Sequence, residues 1–172
     1  MKNIITILTL VLIAGLSRLI PHPWNFTAIG AMALFSGAHM PKKWLAFVAP
    51  LLSLLWTDAL LGFHVTAVYV YASVALITIL GFTMEDKVSK LAMGSVLSSV
   101  LFFAITNFGV WLSQDLYPHT GAGLLNSYVM AIPFFGNQIA GDAFYIGLLF
   151  GAYHLLITYV PSLKPADQHS FS

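Results

Sequence analysis

The sequence predicts an all-α integral membrane protein, folded as a single bundle of six transmembrane helices over residues 1–172. Three observations carry that expectation. The chain is 59% hydrophobic and 8% charged, with a mean hydropathy of +0.87, whereas soluble domains carry about a quarter charged residues. Its apolar residues fall into runs of roughly bilayer length, and a chain crossing hydrocarbon must close its backbone hydrogen bonds within each run, which selects helices. The lysines sit only between alternate runs, which sets a direction across the membrane.

The first segment runs from Ile4 to Ile20. Ala14-Gly15-Leu16-Ser17 resembles a signal-peptide cleavage site, but the apolar run continues through Leu19-Ile20 and another follows almost at once, so a retained span is expected. The second, Phe26 to Met40, is short and calls for tilt or local thinning of the bilayer. Trp44 to Leu61 and His64 to Phe82 form the third and fourth, joined by the tight Gly62-Phe63 connection. Lys90 to Ser113 is the fifth and Gln138 to Val160 the sixth. Between these last two, residues 124–135 are themselves apolar and fit a lid, an interfacial helix or a re-entrant segment.

With the N-terminus inside, Lys2, Lys42, Lys43, Lys87, Lys90 and Lys164 all fall on the cytoplasmic side, together with both termini. Only Arg18, near the outer end of the first segment, departs from the pattern. The expected location is a bacterial inner membrane, crossed several times with the lipid bilayer as solvent. A net charge of +1 without a basic run excludes a nucleic-acid partner. The lack of cysteine excludes disulfides and thiol chemistry.

Under this topology the costly polar residues gather in the outer half. Arg18, His22, Asn25 and Thr27 lie at and after the end of the first segment, Asp58 in the outer third of the third segment, and His64 and Thr66 at the start of the fourth. Asn107 lies in the outer third of the fifth, and Asn137, Gln138 and Asp142 begin the sixth. Polar groups inside apolar segments mark function by default. Aromatic residues accompany them; some form an interfacial belt, but Trp111 lies one turn beyond Asn107, and Tyr145 shares a helical face with Gln138 and Asp142. An apolar, aromatic pocket with a few convergent polar groups is the form of a small-molecule site. The expected substrate-binding set is therefore Arg18, Asn25, Asp58, His64, Asn107, Trp111, Tyr128, Asn137, Asp142 and Tyr145.

Each residue also has a plainer reading. Arg18 pairs with Asp58 or with Asp142 to neutralise a buried carboxylate, Asn107 joins two helices, and Ala33/Gly37 and Gly147/Gly151 are small-residue pairs for close helix packing. His22, Asp58, His64, His119 and Asp142 are metal-compatible but lack a ligand spacing such as HExxH. Without that spacing or a GxSxG elbow, neither a metal nor a cofactor nor an enzymatic activity is expected. The alternative is an intramembrane enzyme, or a structural subunit of a membrane complex, using the same outer polar cluster.

The runs RLIPHPWNFTAIGAMALFSGAH, TDALLGFH, TNFGVWL, YPHTGAGLLNSYVMAIPFFGN and GD resemble a family of small six-span bacterial membrane proteins assigned to transport, of unknown substrate. In size, span number and outward pocket these look like the substrate-binding S-components of energy-coupling-factor vitamin transporters. The resemblance implies capture of a small vitamin-like nutrient from outside, under the connections Pro21 to Asn25, Gly62-Phe63 and Gln114 to Asn137. It also implies a coupling module, a membrane subunit plus ATPases, that docks on an alanine-xxx-alanine motif of the first span. Here that span has Ala14, Gly15 and Ser17 without the spacing, so a solitary carrier is the other form the resemblance allows.

Overall fold

The run Ile29–His39 contains no charge other than its terminal histidine and is apolar or small on every side, the pattern of a helix buried all round. A computed structural model, which describes residues 2–85, 87–160 and 163, places this helix at the centre of an all-α fold. Among the described residues the six α-helices are α1 (Lys2–Gly15, followed by a 3-10 turn Leu16–Arg18), α2 (Ile29–His39), α3 (Lys43–Leu61), α4 (Ala67–Gly81), α5 (Val88–Ser113) and α6 (Gly121–Tyr159). Every residue of α2 from Ile29 to Gly37 is buried, and α2 touches each of the other five helices. The chain is therefore organised around its shortest α-helix.

Helices α3, α5 and α6 are long and apolar enough to cross a membrane, while α1, α2 and α4 are shorter apolar helices. The distribution of side chains is that of a protein dissolved in lipid. Serines and threonines lie inside: Ser36, Ser53, Thr57, Ser73, Thr78, Ser98 and Ser99 are essentially inaccessible, whereas Leu52, Val68, Ile79, Val96, Leu148 and Leu155 face outward. In water this arrangement would be inverted. In hydrocarbon, lipid supplies no partner for a hydroxyl, so hydroxyls turn inward and bond the carbonyl one turn back. Thr78 does so to Val74 (2.8 Å), Ser73 to Tyr69 (2.7 Å) and Thr106 to Phe102 (2.7 Å).

Close crossings hold the bundle around α2. Gly37 of α2 faces Gly81 of α4 so tightly that a Cβ on either would overlap backbone of the other helix. Ala33 is buried as expected beside this crossing. Gly147 and Gly151 behave otherwise: both face open space on α6 and pack no helix, contrary to the close packing their spacing suggests.

The largest departure concerns the sixth segment, expected to begin at Gln138. The structure runs α6 without interruption for 39 residues from Gly121, about 58 Å at 1.5 Å per residue, nearly twice a hydrocarbon core of about 30 Å. Residues 124–135 are thus the first half of α6, lying on α5, and not a separate lid. Thr120 starts the helix, its hydroxyl accepting from the Gly123 amide at 3.1 Å. Pro133 sits inside the helix. Antiparallel contacts fasten this half: the Tyr128 hydroxyl donates to the Ala104 carbonyl (2.7 Å), and Phe103 stacks on Phe135 with centroids 4.5 Å apart.

The connections α1–α2, α3–α4 and α5–α6 share one end of the bundle. At the other end, Lys42 and Lys87 immediately precede α3 and α5, and the Lys43 ammonium lies 5.4 Å over the Phe82 ring. Lys164 and the side chain of Lys2 lie outside the described residues.

Candidate functional site

A cavity of about 490 Å³ opens at the end of the bundle away from these lysines. Its rim is exposed and comes from the connections: His22, Trp24 and Asn25 between α1 and α2, and His64 between α3 and α4. Asn25 adopts φ 63°, a left-handed turn that asparagine tolerates better than most residues. Trp24 meets Phe134 of α6 edge to face, centroids 6.4 Å apart, so the first connection leans over the opening onto the outer half of α6. Gly62, at φ 96°, ends α3 and turns the chain toward His64.

The walls are mostly apolar, from Ile29, Val70, Phe102, Val110 and Ala131, with Thr106 and Asn107 on α5. The floor is polar and buried: Asp142 is 2% and Gln138 6% exposed. One turn apart on α6, they project from the same helical face. Ser99 of α5 joins them, its hydroxyl 2.6 Å from Asp142 Oδ2, while Gln138 Nε2 donates to the Ser99 carbonyl at 3.2 Å. On the facing wall, a Cβ at Gly30 would overlap the Asp142 carboxylate. Glycine at this position lets the carboxylate reach the first turn of α2, where the helix dipole favours negative charge.

Beside the cavity lies an ion pair. Arg18 Nη2 stands 2.6 Å from Asp58 Oδ1, and Arg18 Nη1 donates to Thr57 Oγ1 and to the Leu54 carbonyl. The Tyr71 hydroxyl donates to Asp58 Oδ2 at 2.9 Å. Between the two partners open to Arg18 in the sequence, the fold selects Asp58. Asp142 is left without a cation among the described residues.

Of the ten residues expected from the sequence, Arg18, Asn25, His64, Asn107 and Asp142 line the cavity. Asn107 is partly occupied, since its Nδ2 donates to the Phe103 carbonyl at 2.8 Å. The other five stand elsewhere. Asp58 is buried in its pair with Arg18. Trp111 anchors the α5–α6 connection, with Nε1 donating to the Pro118 carbonyl (3.0 Å) and its ring against His119. Tyr128 lies between α5 and α6. Asn137, one residue before Gln138, is turned about 100° around the helix and away from the opening. Tyr145 keeps the face of Gln138 but lies two turns, about 10 Å, farther along; it packs on Phe26 and lines an apolar groove between α1 and α6. Gln138, Gly30, Thr66 and Phe134 belong to the cavity and were not in the expected set. Gln138 carried a signal, its one-turn spacing from Asp142, whereas Gly30 offers no chemistry that a sequence displays.

Among the described residues no three histidine or carboxylate side chains gather as a metal site. The cavity can therefore be read from its hydrogen-bonding groups: two buried acceptors below, aromatic and aliphatic walls, and imidazoles at the mouth.

Residues 1–163 match a family of unknown function (DUF6580). The chain belongs to this family. The DUF6580 match takes in all six helices and every residue of the cavity. No curated protein and no solved structure matches the chain.

Proposed function

We propose that this DUF6580 protein is a multi-pass inner-membrane substrate-binding protein that captures a small, vitamin-like nutrient from the outer side, in the manner of a transporter S-component. The observation that carries the reading is the cavity itself. Its volume of about 490 Å³ falls within the range of roughly 300–1,000 Å³ usual for small-molecule sites, and its floor holds a buried carboxylate and a buried amide beneath mostly apolar walls. Buried polar groups in a lipid-dissolved bundle are costly, and a bound ligand gives them a use.

Direction follows from the lysines. Lys42, Lys43, Lys87 and Lys90 belong to the end opposite the opening, and cytoplasmic ends are enriched in lysine, so the mouth faces outward. This orientation gives six spans, with α6 and its partner α5 rising beyond the outer hydrocarbon boundary to wall the site. Hand-over to a coupling module of membrane subunit and ATPases belongs to the S-component resemblance, while the cavity by itself supports capture.

The test is mass spectrometry of small molecules extracted from gently purified protein. A single compound enriched in the wild type and lost in a cavity-filling Ala131→Trp variant is the expected result. Equal recovery of the same compounds from a folded Ala131→Trp variant would remove the reading.

A further inference from the structure

The proposed binding role leaves the ligand unspecified, but the floor of the cavity restricts its chemistry. Asp142 Oδ2 receives the Ser99 hydroxyl at 2.6 Å. That hydroxyl has one proton, and its other acceptor, the Ser95 carbonyl, lies farther off at 3.1 Å. A carboxylate has up to about four acceptor sites, so the Ser99 hydroxyl and the neighbouring Gln138 amide leave part of its capacity unused. Gln138 is oriented by its own donor: Nε2 faces the Ser99 carbonyl, an acceptor only, which directs Oε1 the other way. Oε1 is buried and has no hydrogen-bond partner. A buried amide oxygen left in this way is costly and unusual.

Two acceptors with capacity to spare therefore sit one turn apart on the cavity floor, Gln138 Oε1 with no hydrogen-bond partner. The nearby charged donor is committed, since Arg18 is held by Asp58, Thr57 and Leu54. The first turn of α2 offers Asp142 a partial positive charge, but it does nothing for Gln138 Oε1. A carboxylate or phosphate placed against Asp142 and Gln138 Oε1 would meet acceptors there and be repelled. Above it, Phe102, Phe134, Val70 and Ile29 form apolar walls suited to a flat ring.

Resting on the capture reading above, we infer that the ligand enters with an N–H-rich cationic group first, an amidine-like or aminated heteroaromatic head that donates to Asp142 and to Gln138 Oε1 together. The floor selects donors, and the walls select a planar body.

The probes are benzamidinium and benzoate, planar ions of matched shape and opposite charge, titrated separately into the purified full-length chain in detergent. Trp24, at the cavity mouth, provides a fluorescence reporter, with Trp24→Phe identifying its share of the signal. Benzamidinium is expected to bind about tenfold or more tightly than benzoate, about 1.4 kcal/mol or more. Asp142→Asn is expected to abolish that preference, and the uncharged change Gln138→Leu to weaken benzamidinium about tenfold while leaving the weak benzoate binding unchanged. Asp115→Asn, on the exposed α5–α6 connection, should change neither. Benzoate binding as tightly as benzamidinium to folded wild type would overturn the ligand class while leaving the capture reading intact. Binding of neither probe would also overturn the class, and the capture reading would then be judged by the extracted compound alone. An Asp142→Asn variant that does not fold leaves Gln138→Leu to decide: undiminished benzamidinium binding there overturns the inference.

Discussion

Replacing Arg18 by methionine separates a structural cation from a ligand-binding one. The guanidinium keeps about the same length of aliphatic stem in methionine but loses its contacts to Asp58 Oδ1 (2.6 Å), Thr57 Oγ1 and the Leu54 carbonyl. Asp58, fully buried, would keep only the Tyr71 hydroxyl at 2.9 Å. Removing one partner of a buried pair typically costs about 3–5 kcal/mol, because the other charge stays desolvated and unpaired. Arg18→Met is therefore expected to lose about that much stability. The double variant Arg18→Met/Asp58→Leu should recover to within about 1–2 kcal/mol of wild type, since exchanging a whole buried pair for apolar groups is often neutral. Unfolding in detergent with increasing SDS, followed by circular dichroism, reads both. An Arg18→Met protein as stable as wild type but unable to retain ligand would refute the reasoning and make Arg18 a ligand-binding residue.

Other expectations follow from the same contacts. Gly81→Leu places a side chain against the backbone around Gly37 and should cost at least the roughly 1–3 kcal/mol usual for overpacking, read by the same unfolding assay. Thr120→Ala removes the cap of α6 and should cost about 0.5–2 kcal/mol, with hydrogen exchange rising in the first turn of that helix. Asn137→Ala should leave ligand affinity nearly unchanged while Gln138→Ala lowers it by about tenfold, because only the second side chain lines the cavity. Calorimetric titration with the extracted compound distinguishes these two.

The fold class was legible because composition and run length respond to the same solvent, hydrocarbon, which tolerates few charges and demands helices. The lysine pattern gave an expected direction, which rests on the enrichment of cytoplasmic ends in lysine. Less visible was the internal arrangement. The segment Phe26 to Met40 looked like a short span, yet the lack of any polar face on Ile29–His39 makes it the inner helix touching all the others. The start of α6 was hidden by Pro133 and by the polar pair Asn137-Gln138, which resemble a helix boundary but are carried within a helix packed on α5. The end of the bundle at which the cavity opens was readable from Arg18, His64, Asn107 and Asp142, since each is expensive in lipid. Periodicity also marked the face of α6, but it repeats every seven residues and could not separate Gln138 at the cavity floor from Tyr145 two turns below. The pairing of Arg18 with Asp58 in preference to Asp142 depends on how α1 crosses α3, where Gly15 meets Ser53. No local pattern in either segment encodes that crossing.

The most direct test of the capture reading is an experimental structure of the protein purified gently from its native membrane, at a resolution that shows bound molecules. The account expects non-protein density between Trp24 and the floor, flat between Phe102 and Phe134, with its polar end within hydrogen-bonding distance of Asp142 and Gln138 Oε1. A cavity holding only water, or a lipid chain that avoids Asp142 and Gln138, would contradict it.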